Sequence, residues 1–361
     1  MLKNAKILEG SRAVAEVINL INPAVVSAYP ITPQTHIVED LAKFKADGKA
    51  NYEYVRAESE FAAASIVLGA SATGLRTYSA TSSQGLLLMA EVLFNIAGMR
   101  LPIVFTCANR GVSAPITIWN DHQDAMTVRD AGWLMFFAEN LQEAVDLHLL
   151  AFKVAEKLRL PAMVNMDGFI LTHTYEPVNI PTKSQVNKFL PNYKPKAGDY
   201  LDVKNPRSFG CFAAPSHYLE IREELHSDLK NSKDEIEIEF KKWQSIFNPK
   251  FKNLKLDNGL IEYSGAKKPE IIFVAMGSVV GTIKDFIEKS NDKIGILKIR
   301  TFRPFPKDEI IKILSKAKYV VVLDKSVSLG EEGILAAEIK SAAYNKIKTK
   351  IQSFIIGLGG R

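Results

Sequence analysis

The sequence predicts an α/β protein built on a doubly wound parallel sheet, followed by a second α/β domain. The first two observations behind the α/β class are local. Short β-branched and aromatic runs alternate with apolar runs of helical spacing, and strand candidates lead through polar loops directly into helices. The third is length, because 361 residues suffice for two domains.

The central unit of the first domain is a βαβα pattern. A strand near Tyr52–Val55 leads into a helix that starts with Glu60, and a strand at Arg76–Ala80 leads through Thr81–Gly85 into a buried helix at Leu86–Phe94. In open parallel sheets ligands bind where loops leave the carboxyl ends of the strands. Glu60 and the loop with Ser83 and Gln84 are therefore site candidates.

A purely structural interpretation of Glu60 is also open. Ser59 is a good helix N-cap residue, and a carboxylate in the first turn is stabilised by the helix dipole. By this interpretation Glu60 only stabilises its helix.

The segment before the central unit offers a second candidate position. Ser11 is expected to cap a helix that ends near Leu20, and a strand at 24–29 then enters a turn with two prolines. Pro30 and Pro33 stiffen this turn and hold Thr32 between them, so its hydroxyl is displayed in a fixed place. An ordinary strand-to-helix turn explains the same residues nearly as well.

The segment after the central unit offers Arg110. It follows a buried strand at 101–107, where a guanidinium can pair with a carboxylate or phosphate, although a surface or salt-bridged arginine is the commoner case. The stretch Ile118–Asp124 gathers five polar groups behind Trp119. Its spacing matches no familiar set of metal ligands, so a hydrogen-bonded loop is favoured.

The remaining elements divide the chain into three parts. A helix around 141–147, a strand at 161–166 and a turn at Asp167–Phe169 complete a first domain over residues 1–180. Residues 181–264 form an arm and connector, in which 218–247 is one long charged helix. The second domain covers 265–361, with strands starting at Glu270 and at 293–299 and 319–324. Gly277–Gly281 is favoured as an ordinary strand-to-helix connection.

Composition restricts the function classes. The net charge of +6 is modest, and no basic run with interleaved aromatic residues supports nucleic-acid binding. Cys107 and Cys211 fit neither a disulfide framework nor a zinc or iron–sulfur site. The start of the chain lacks the apolar core of a signal peptide and no apolar run reaches transmembrane length, so a cytoplasmic location is expected. Five histidines are expected to be isolated structural or solvated residues: His36, His148, His173, His217 and His226.

Several stretches taken together resemble one family. They are Tyr29–Pro33, Glu58–Glu60, Thr81–Leu86, Arg100–Pro102, Ala108–Arg110, Ile118–Asp124, Asp167–Phe169, Arg303–Pro306 and Gly357–Arg361. The chain resembles the alpha subunit of pyruvate:ferredoxin oxidoreductases, in the 2-oxo acid:ferredoxin oxidoreductase family. The resemblance covers nearly the whole chain, so the stretches are jointly specific although each alone is weak.

The resemblance implies that the first domain is a thiamine-diphosphate-binding domain of the pyrimidine type and that the second is a transketolase-C-terminal-like domain. It implies an enzyme that oxidatively decarboxylates pyruvate with coenzyme A to acetyl-CoA and CO2 and reduces ferredoxin. Glu60 matches the residue that activates thiamine diphosphate, and Phe61 and the neighbouring alanines are expected to hold its carboxyl group against apolar walls. Thr32 and Arg110 match contacts to the substrate. Pro30, Ser83 and Gln84 are expected cofactor contacts.

A missing motif implies partner chains. Thiamine diphosphate needs a Gly-Asp-Gly-type loop to hold magnesium and the diphosphate, but neither Asp47-Gly48 nor Asp167-Gly168 follows a glycine. We expect no metal site on this chain and a beta subunit that carries the diphosphate and Mg²⁺. Iron–sulfur clusters are expected on partner chains, which include gamma and ferredoxin-like delta subunits. No nucleic acid or membrane partner is expected.

Three alternatives stay open at this point. A ferredoxin oxidoreductase for branched-chain 2-oxo acids shares almost every stretch quoted above. The beta chain of an NAD-linked 2-oxo acid dehydrogenase has a similar plan, although the Tyr29–Pro33 and Ile118–Asp124 stretches argue against it. A scaffold subunit without a working site is the third. Family members usually continue beyond the final Gly-Gly-Arg, so the chain is expected to be short at its C-terminus.

Overall fold

A computed structural model describes residues 5–247, 257–290 and 292–360. Its strands are β1 (Lys6–Glu9), β2 (Val25–Ala28), β3 (Glu53–Arg56), β4 (Thr77–Thr81), β5 (Val104–Asn109), β6 (Leu134–Phe137), β7 (Ala162–Asp167), β8 (Tyr175–Val178), β9 (Ile261–Gly265), β10 (Ile271–Ala275), β11 (Ile294–Ile299), β12 (Thr301–Arg303), β13 (Tyr319–Asp324) and β14 (Lys350–Ile355). Its helices are α1 (Gly10–Ile21), α2 (Thr35–Ala46), α3 (Glu60–Ala72), α4 (Ser83–Leu88), α5 (Ala90–Gly98), α6 (Gln123–Thr127), α7 (Leu141–Leu158), α8 (Lys183–Phe189), α9 (Pro215–Phe247), α10 (Val279–Lys289), α11 (Lys307–Leu314) and α12 (Ile334–Ala343).

The first domain is organised around a seven-stranded sheet in the order β12-β6-β7-β5-β4-β2-β3. All its neighbouring strands are parallel except β12, which runs antiparallel to β6. Strands β4, β5 and β7 are buried along their whole length, as expected for a parallel sheet covered on both faces. From β2 the chain goes outward to β3 and then returns to β4 on the other side of β2. This reversal of strand order marks the place where ligands bind in such sheets.

The second domain is a smaller α/β unit. Its five strands lie in the order β14-β13-β10-β11-β9, and only β9 is antiparallel to its neighbour. The strands predicted from Glu270 and at 293–299 and 319–324 are confirmed as β10, β11 and β13.

Two features join the domains. Strand β12 leaves the second domain and pairs with β6 at the edge of the first sheet. Next to it, the buried Lys298 ammonium lies 2.7 Å from both Glu139 and Glu143, and Arg300 Nε donates to Glu143 at 2.6 Å. Burial alone raises the pKa of Glu143, but the charges of Lys298 and Arg300 outweigh it and lower this pKa to about 2. The junction is therefore a buried, ionised network.

The long charged helix is confirmed as α9, which begins slightly earlier than predicted, at Pro215. It packs against α7, α8 and α5 of its own chain. Its inward side places Leu225, Ile236, Phe240 and Trp243 in the core, and most of its charged residues face outward. Part of the predicted connector, residues 248–256, lies outside the described residues, as does Arg361 of the last quoted stretch.

Two local predictions are wrong. Ser11 does not cap α1, because its hydroxyl donates to the Thr172 carbonyl at 2.9 Å and the N-cap position is Glu9. The single helix predicted over 86–94 is two helices, α4 and α5, interrupted at Met89. None of the helices in the described ranges combines the length and apolar character needed to cross a membrane.

Candidate functional site

The candidate residues come together at one edge of the first sheet. Thr32, Glu60, Gln84 and Arg110 follow β2, β3, β4 and β5, and these parallel strands all end at that edge. The parallel topology therefore brings together residues that are far apart in sequence.

Glu60 is the first residue of α3, a position that is compatible with both the structural and the functional interpretation. Ser59 caps the helix, since its Oγ accepts a hydrogen bond from the Ala62 N–H at 3.1 Å. The Glu60 side chain is nevertheless only 7% exposed. Within the described residues no hydrogen bond or ion pair reaches its carboxylate. A largely buried carboxylate without a protein partner leaves its hydrogen-bonding capacity to a bound group.

The wall beside Glu60 differs from the expected one. Phe61 is 41% exposed, so it does not enclose the carboxyl group as predicted. The close neighbour is Gly85 in the first turn of α4, where an added Cβ atom would lie 2.7 Å from both Glu60 Oε1 and Thr81 Oγ1. Glu60 at the start of α3 and Gly85 in α4 therefore border a narrow polar slot, in which the missing side chain of Gly85 leaves space for the Glu60 carboxylate beside Thr81.

Arg110 is buried rather than a surface or salt-bridged arginine, so that alternative is wrong. Its side chain donates from Nη1 to the Thr32 carbonyl at 2.7 Å and from Nη2 to Gln84 Oε1 at 2.6 Å. Burial lowers the pKa of Arg110, and the negative charges of Asp124 and Glu60 partly oppose this. The Nε–H has no acceptor in the described part of the chain. Arg110 therefore retains donor capacity for an anionic ligand.

Thr32 lies in an exposed turn that a buried glutamine, Gln34, holds against the sheet. The Thr32–Pro33 peptide bond is cis. Behind it, buried Gln34 donates from Nε2 to the carbonyls of Tyr29 and Ala80 at 3.2 and 2.6 Å, which ties the turn to β4. The Thr32 hydroxyl is thus displayed as predicted. Pro30 is exposed in the same turn, and its contact with a cofactor stays a prediction.

Asp124 is the organising residue that sequence reasoning did not single out. It is fully buried, and its carboxylate accepts hydrogen bonds from Ser83 N at 2.9 Å, Arg110 N at 3.0 Å and Asn109 Nδ2 at 2.9 Å. Burial raises its pKa, and these donors oppose the rise. The only sequence signal was its membership of the Ile118–Asp124 stretch. That stretch is a loop as far as His122, but Gln123 and Asp124 begin α6, and the Asn120 amide has no partner within the described residues.

Ser83 is held in an unusual conformation by this arrangement. Its φ of +47° lies in the left-handed region that non-glycine residues seldom adopt. Its Oγ lies 2.8 Å from the Gly111 carbonyl and 2.5 Å from Gln84 Oε1. Such strain persists when the surroundings fix it, and here it orients the Gln84 amide toward Arg110.

Neither Asp-Gly pair forms a magnesium site in the described structure. Asp47 is exposed at the end of α2 and pairs with Lys43 and Lys49. Asp167 is buried and already neutralised, since it accepts from Lys325 Nζ at 2.6 Å and His122 Nε2 at 2.7 Å.

The Gly277–Gly281 loop likewise binds a side chain of the first domain rather than leaving its N–H groups open to a ligand. The Ser278 N–H donates to Asp167 Oδ2 at 2.9 Å, and its hydroxyl contacts the same oxygen. A Cβ atom at Gly277 would lie 2.8 Å from Asp167 Oδ1. The loop is therefore a connection docked onto the first domain, which agrees with the favoured prediction.

The prediction of isolated histidines is wrong for two of the five. His36 and His173 have ring centroids 4.7 Å apart, and His36 Nδ1 lies 2.8 Å from Glu9 Oε1. His148 is structural, because it is buried between Thr106 Oγ1 and the Ala144 carbonyl. Sequence spacing gave no signal for the pair, which the fold assembles from α2 and the loop after β7.

The residues of the edge fit the pyrimidine side of thiamine diphosphate. Buried polar atoms without hydrogen-bond partners in the described ranges include Thr81 Oγ1, Asn109 Oδ1 and Arg110 Nε. Together with the unpartnered Glu60 carboxylate, they leave donors and acceptors that a polar heterocycle and an anionic substrate would satisfy.

Two family matches cover most of the chain. Residues 16–241 match the family described as pyruvate flavodoxin/ferredoxin oxidoreductase, thiamine diphosphate-binding. Residues 269–361 match the core domain II of pyruvate:ferredoxin oxidoreductase.

Individual relatives agree with these matches. The chain is 48% identical to the pyruvate synthase subunit PorA of Methanosarcina barkeri, over 99% of this chain and 89% of that one. It is 46% identical to PorA of Methanocaldococcus jannaschii, over 99% and 91%. It is 41% identical to the ketoisovalerate oxidoreductase subunit VorA of Pyrococcus horikoshii, over 99% and 90%.

A solved structure supports the fold. It is a 2-oxoglutarate:ferredoxin oxidoreductase from Magnetococcus marinus with 2-oxoglutarate, coenzyme A and succinyl-CoA bound. It superposes with a TM-score of 0.73 at 20% identity. The match covers 99% of this chain and 63% of that one.

Proposed function

The chain belongs to the pyruvate:ferredoxin oxidoreductase family, and from this premise we propose that it is the alpha subunit of a pyruvate synthase. The complex would convert pyruvate and coenzyme A to acetyl-CoA and CO2 while it reduces ferredoxin. The single observation that carries the proposal is the buried, unpartnered Glu60 carboxylate in the same strand-edge site as Arg110 and Thr32.

Glu60 is assigned the activation of the cofactor. Thiamine diphosphate, when bound, supplies a nucleophilic carbon and an electron sink for decarboxylation of a 2-oxo acid. Glu60 holds a proton at a nitrogen of the aminopyrimidine ring, which lets the ring's amino group act as a base. The missing side chain at Gly85 leaves space for this carboxyl group beside Thr81. Pro30, Ser83 and Gln84 are assigned further contacts with the cofactor.

Arg110 and Thr32 are assigned the substrate. Arg110 donates hydrogen bonds to the carboxylate of the 2-oxo acid, and the Thr32 hydroxyl orients its keto group. Because Arg110 is itself fixed by the Thr32 carbonyl and Gln84, its position is set before substrate arrives. This preorganisation reduces the entropy lost on binding.

A beta subunit is assigned the other half of the cofactor site. Neither Asp-Gly pair is available for Mg²⁺, so the diphosphate and Mg²⁺ are placed on that partner. Large apolar side chains are also exposed beyond the strand ends, among them Tyr29 after β2, Phe61 at the start of α3 and Trp119 after β5. Exposed apolar surface of this kind is typical of a subunit interface. Iron–sulfur clusters and the gamma and ferredoxin-like delta subunits belong to the same proposal, as does a cytoplasmic location.

The relatives favour pyruvate over a branched-chain acid. PorA relatives at 48% and 46% identity are more similar to the chain than the VorA relative at 41%. The relatives are named as subunits of pyruvate synthase and ketoisovalerate oxidoreductase, and both family matches are to pyruvate:ferredoxin oxidoreductases. This favours the proposed function over an NAD-linked dehydrogenase chain or a scaffold.

The test is viologen reduction by the complex purified from its native host, with coenzyme A and either pyruvate or a branched-chain 2-oxo acid. Faster reduction with pyruvate is expected. Faster reduction with the branched-chain acid would replace the substrate assignment and keep the cofactor chemistry. No reduction with either acid, by a complex with intact clusters, would overturn the proposed function.

A further inference from the structure

We propose that Glu9, His36 and His173 form a binding site for one divalent transition-metal ion such as Zn²⁺. One ligand atom from each residue lies within 4.8 Å of those of the other two. The three residues come from the end of β1, the first turn of α2 and the loop after β7, so only the folded chain assembles them.

The ligand types match the proposed ion. Two imidazoles and one carboxylate, with water completing the coordination, form a ligand set that zinc sites in proteins use. Imidazole nitrogen favours zinc, copper or nickel, whereas Mg²⁺ and Ca²⁺ favour oxygen ligands. A magnesium or calcium site is therefore not expected here.

The surroundings hold His173 in place for this role. Its ring stacks on Phe169 with centroids 4.4 Å apart, and its Nδ1 lies 2.7 Å from Thr172 Oγ1. Thr172 Oγ1 also accepts the Phe169 N–H at 2.8 Å. Metal-binding histidines usually donate their second ring N–H to an oxygen in this way, which leaves Nε2 free to bind.

The site is also available to an ion. Glu9 and His173 are half-buried, while the His36 side chain is 46% exposed and leaves an approach from solvent. A Glu9–His36 hydrogen bond alone would explain why these two side chains lie close together, but it would not explain why His173 lies beside them.

Metal binding would stabilise the edge of the sheet that carries the proposed functional site. His36 lies at the start of α2, directly after the turn that holds Thr32, and His173 lies on the loop that starts with Gly168, whose added Cβ would lie 2.7 Å from Pro33. An ion held by both histidines would tie the start of α2 to this loop. Since it binds only the folded chain, it would raise the melting temperature.

The experiment measures Zn²⁺ binding to the full chain, prepared without a histidine tag and stripped with a chelator. Isothermal titration is expected to give one site for the parent. His36→Gln, His173→Gln and Glu9→Gln are each expected to weaken binding by roughly tenfold or more. His217→Gln, at an exposed histidine away from the cluster, is the matched control and should bind like the parent.

A second readout separates ligation from misfolding. Co²⁺ in place of Zn²⁺ should give a visible absorption band in the parent, and His173→Gln should lose it while its metal-free circular dichroism stays unchanged. The proposal is overturned if the parent does not bind Zn²⁺, or if His36→Gln and His173→Gln bind it as tightly as the parent. Activity of the complex plays no part in either readout.

Discussion

At the scale of single residues, Gly85 controls the position of Glu60. An alanine there would place its Cβ 2.7 Å from Glu60 Oε1 and must displace the carboxylate. Gly85→Ala is expected to lower kcat of the assembled enzyme by about 100-fold, the usual size for a displacement near 1 Å. Steady-state viologen reduction measures it.

A matched glycine provides the control. Gly69 lies in α3 with no atom within 4 Å of an added Cβ. Gly69→Ala should leave kcat unchanged and stabilise the helix by roughly 0.5–1 kcal/mol. Equal activity of the two variants would show that the slot beside Glu60 is not needed.

Arg110 gives a second prediction at this scale. Arg110→Lys is expected to raise the KM for the 2-oxo acid by about tenfold or more, because one ammonium cannot keep the contacts to Thr32 and Gln84 and also bind a carboxylate. The KM for coenzyme A should not change. The exposed Arg207→Lys is the control, and an unaltered pyruvate KM in Arg110→Lys would contradict the assignment.

Candidate site residues were predictable from the sequence where each directly follows a strand. Glu60, Thr32 and Arg110 each follow a recognisable strand, which made each a candidate, and the family resemblance then assigned the three to one site. Asp124 was not predictable in this way. Its role depends on backbone N–H groups of Ser83 and Arg110, which carry no side-chain signal in the sequence.

At the scale of elements, Asp167 links the end of β7 to the second domain. Burial alone raises its pKa, but the charges of Lys325 and His122 outweigh this and lower it. Asp167→Asn leaves Lys325 buried without its counter-ion. It is expected to cost about 3–5 kcal/mol of unfolding free energy at pH 7.

The pH dependence of this prediction follows from the direction of the shift. A folded-state pKa below the unfolded value of about 3.9 means that Asp167 stabilises the fold above that value and loses this contribution as pH falls below it. The melting-temperature difference between parent and Asp167→Asn should therefore be largest near pH 7 and narrow below about pH 4. Scanning calorimetry of the full chain measures it. The exposed Asp47→Asn should differ little from the parent, and an Asp167→Asn chain as stable as the parent at pH 7 would refute the role.

Elements were predictable when their own sequence pattern was strong. The buried strands β4, β5, β7, β10, β11 and β13 and the long helix α9 all had such a pattern. The edge strands β9, β12 and β14 were not predicted. Strand β12 has three residues, and its pairing with β6 depends on the buried Lys298 and Arg300 network that places it there.

At the scale of the whole molecule, the proposed function predicts that this chain supplies only half of the cofactor site. Asp167 is neutralised by Lys325, and Asp47 is on the surface away from the candidate residues. Isothermal titration of the isolated chain with thiamine diphosphate and Mg²⁺ should therefore give no saturable binding, whereas the complex stripped of cofactor should bind it. Tight binding by the isolated chain would place the diphosphate site on this chain instead.

The most direct measurement compares Glu60→Gln with Glu58→Gln in the assembled enzyme. Glu58 is exposed two residues away, so the pair separates the buried carboxylate from a general change of charge. Viologen reduction with pyruvate and coenzyme A should fall by about 100-fold or more in Glu60→Gln, the usual size of a lost acid–base group, and stay near the parent rate in Glu58→Gln. If turnover and thiamine diphosphate affinity of Glu60→Gln both equalled those of the parent, Glu60 would not be the activating residue.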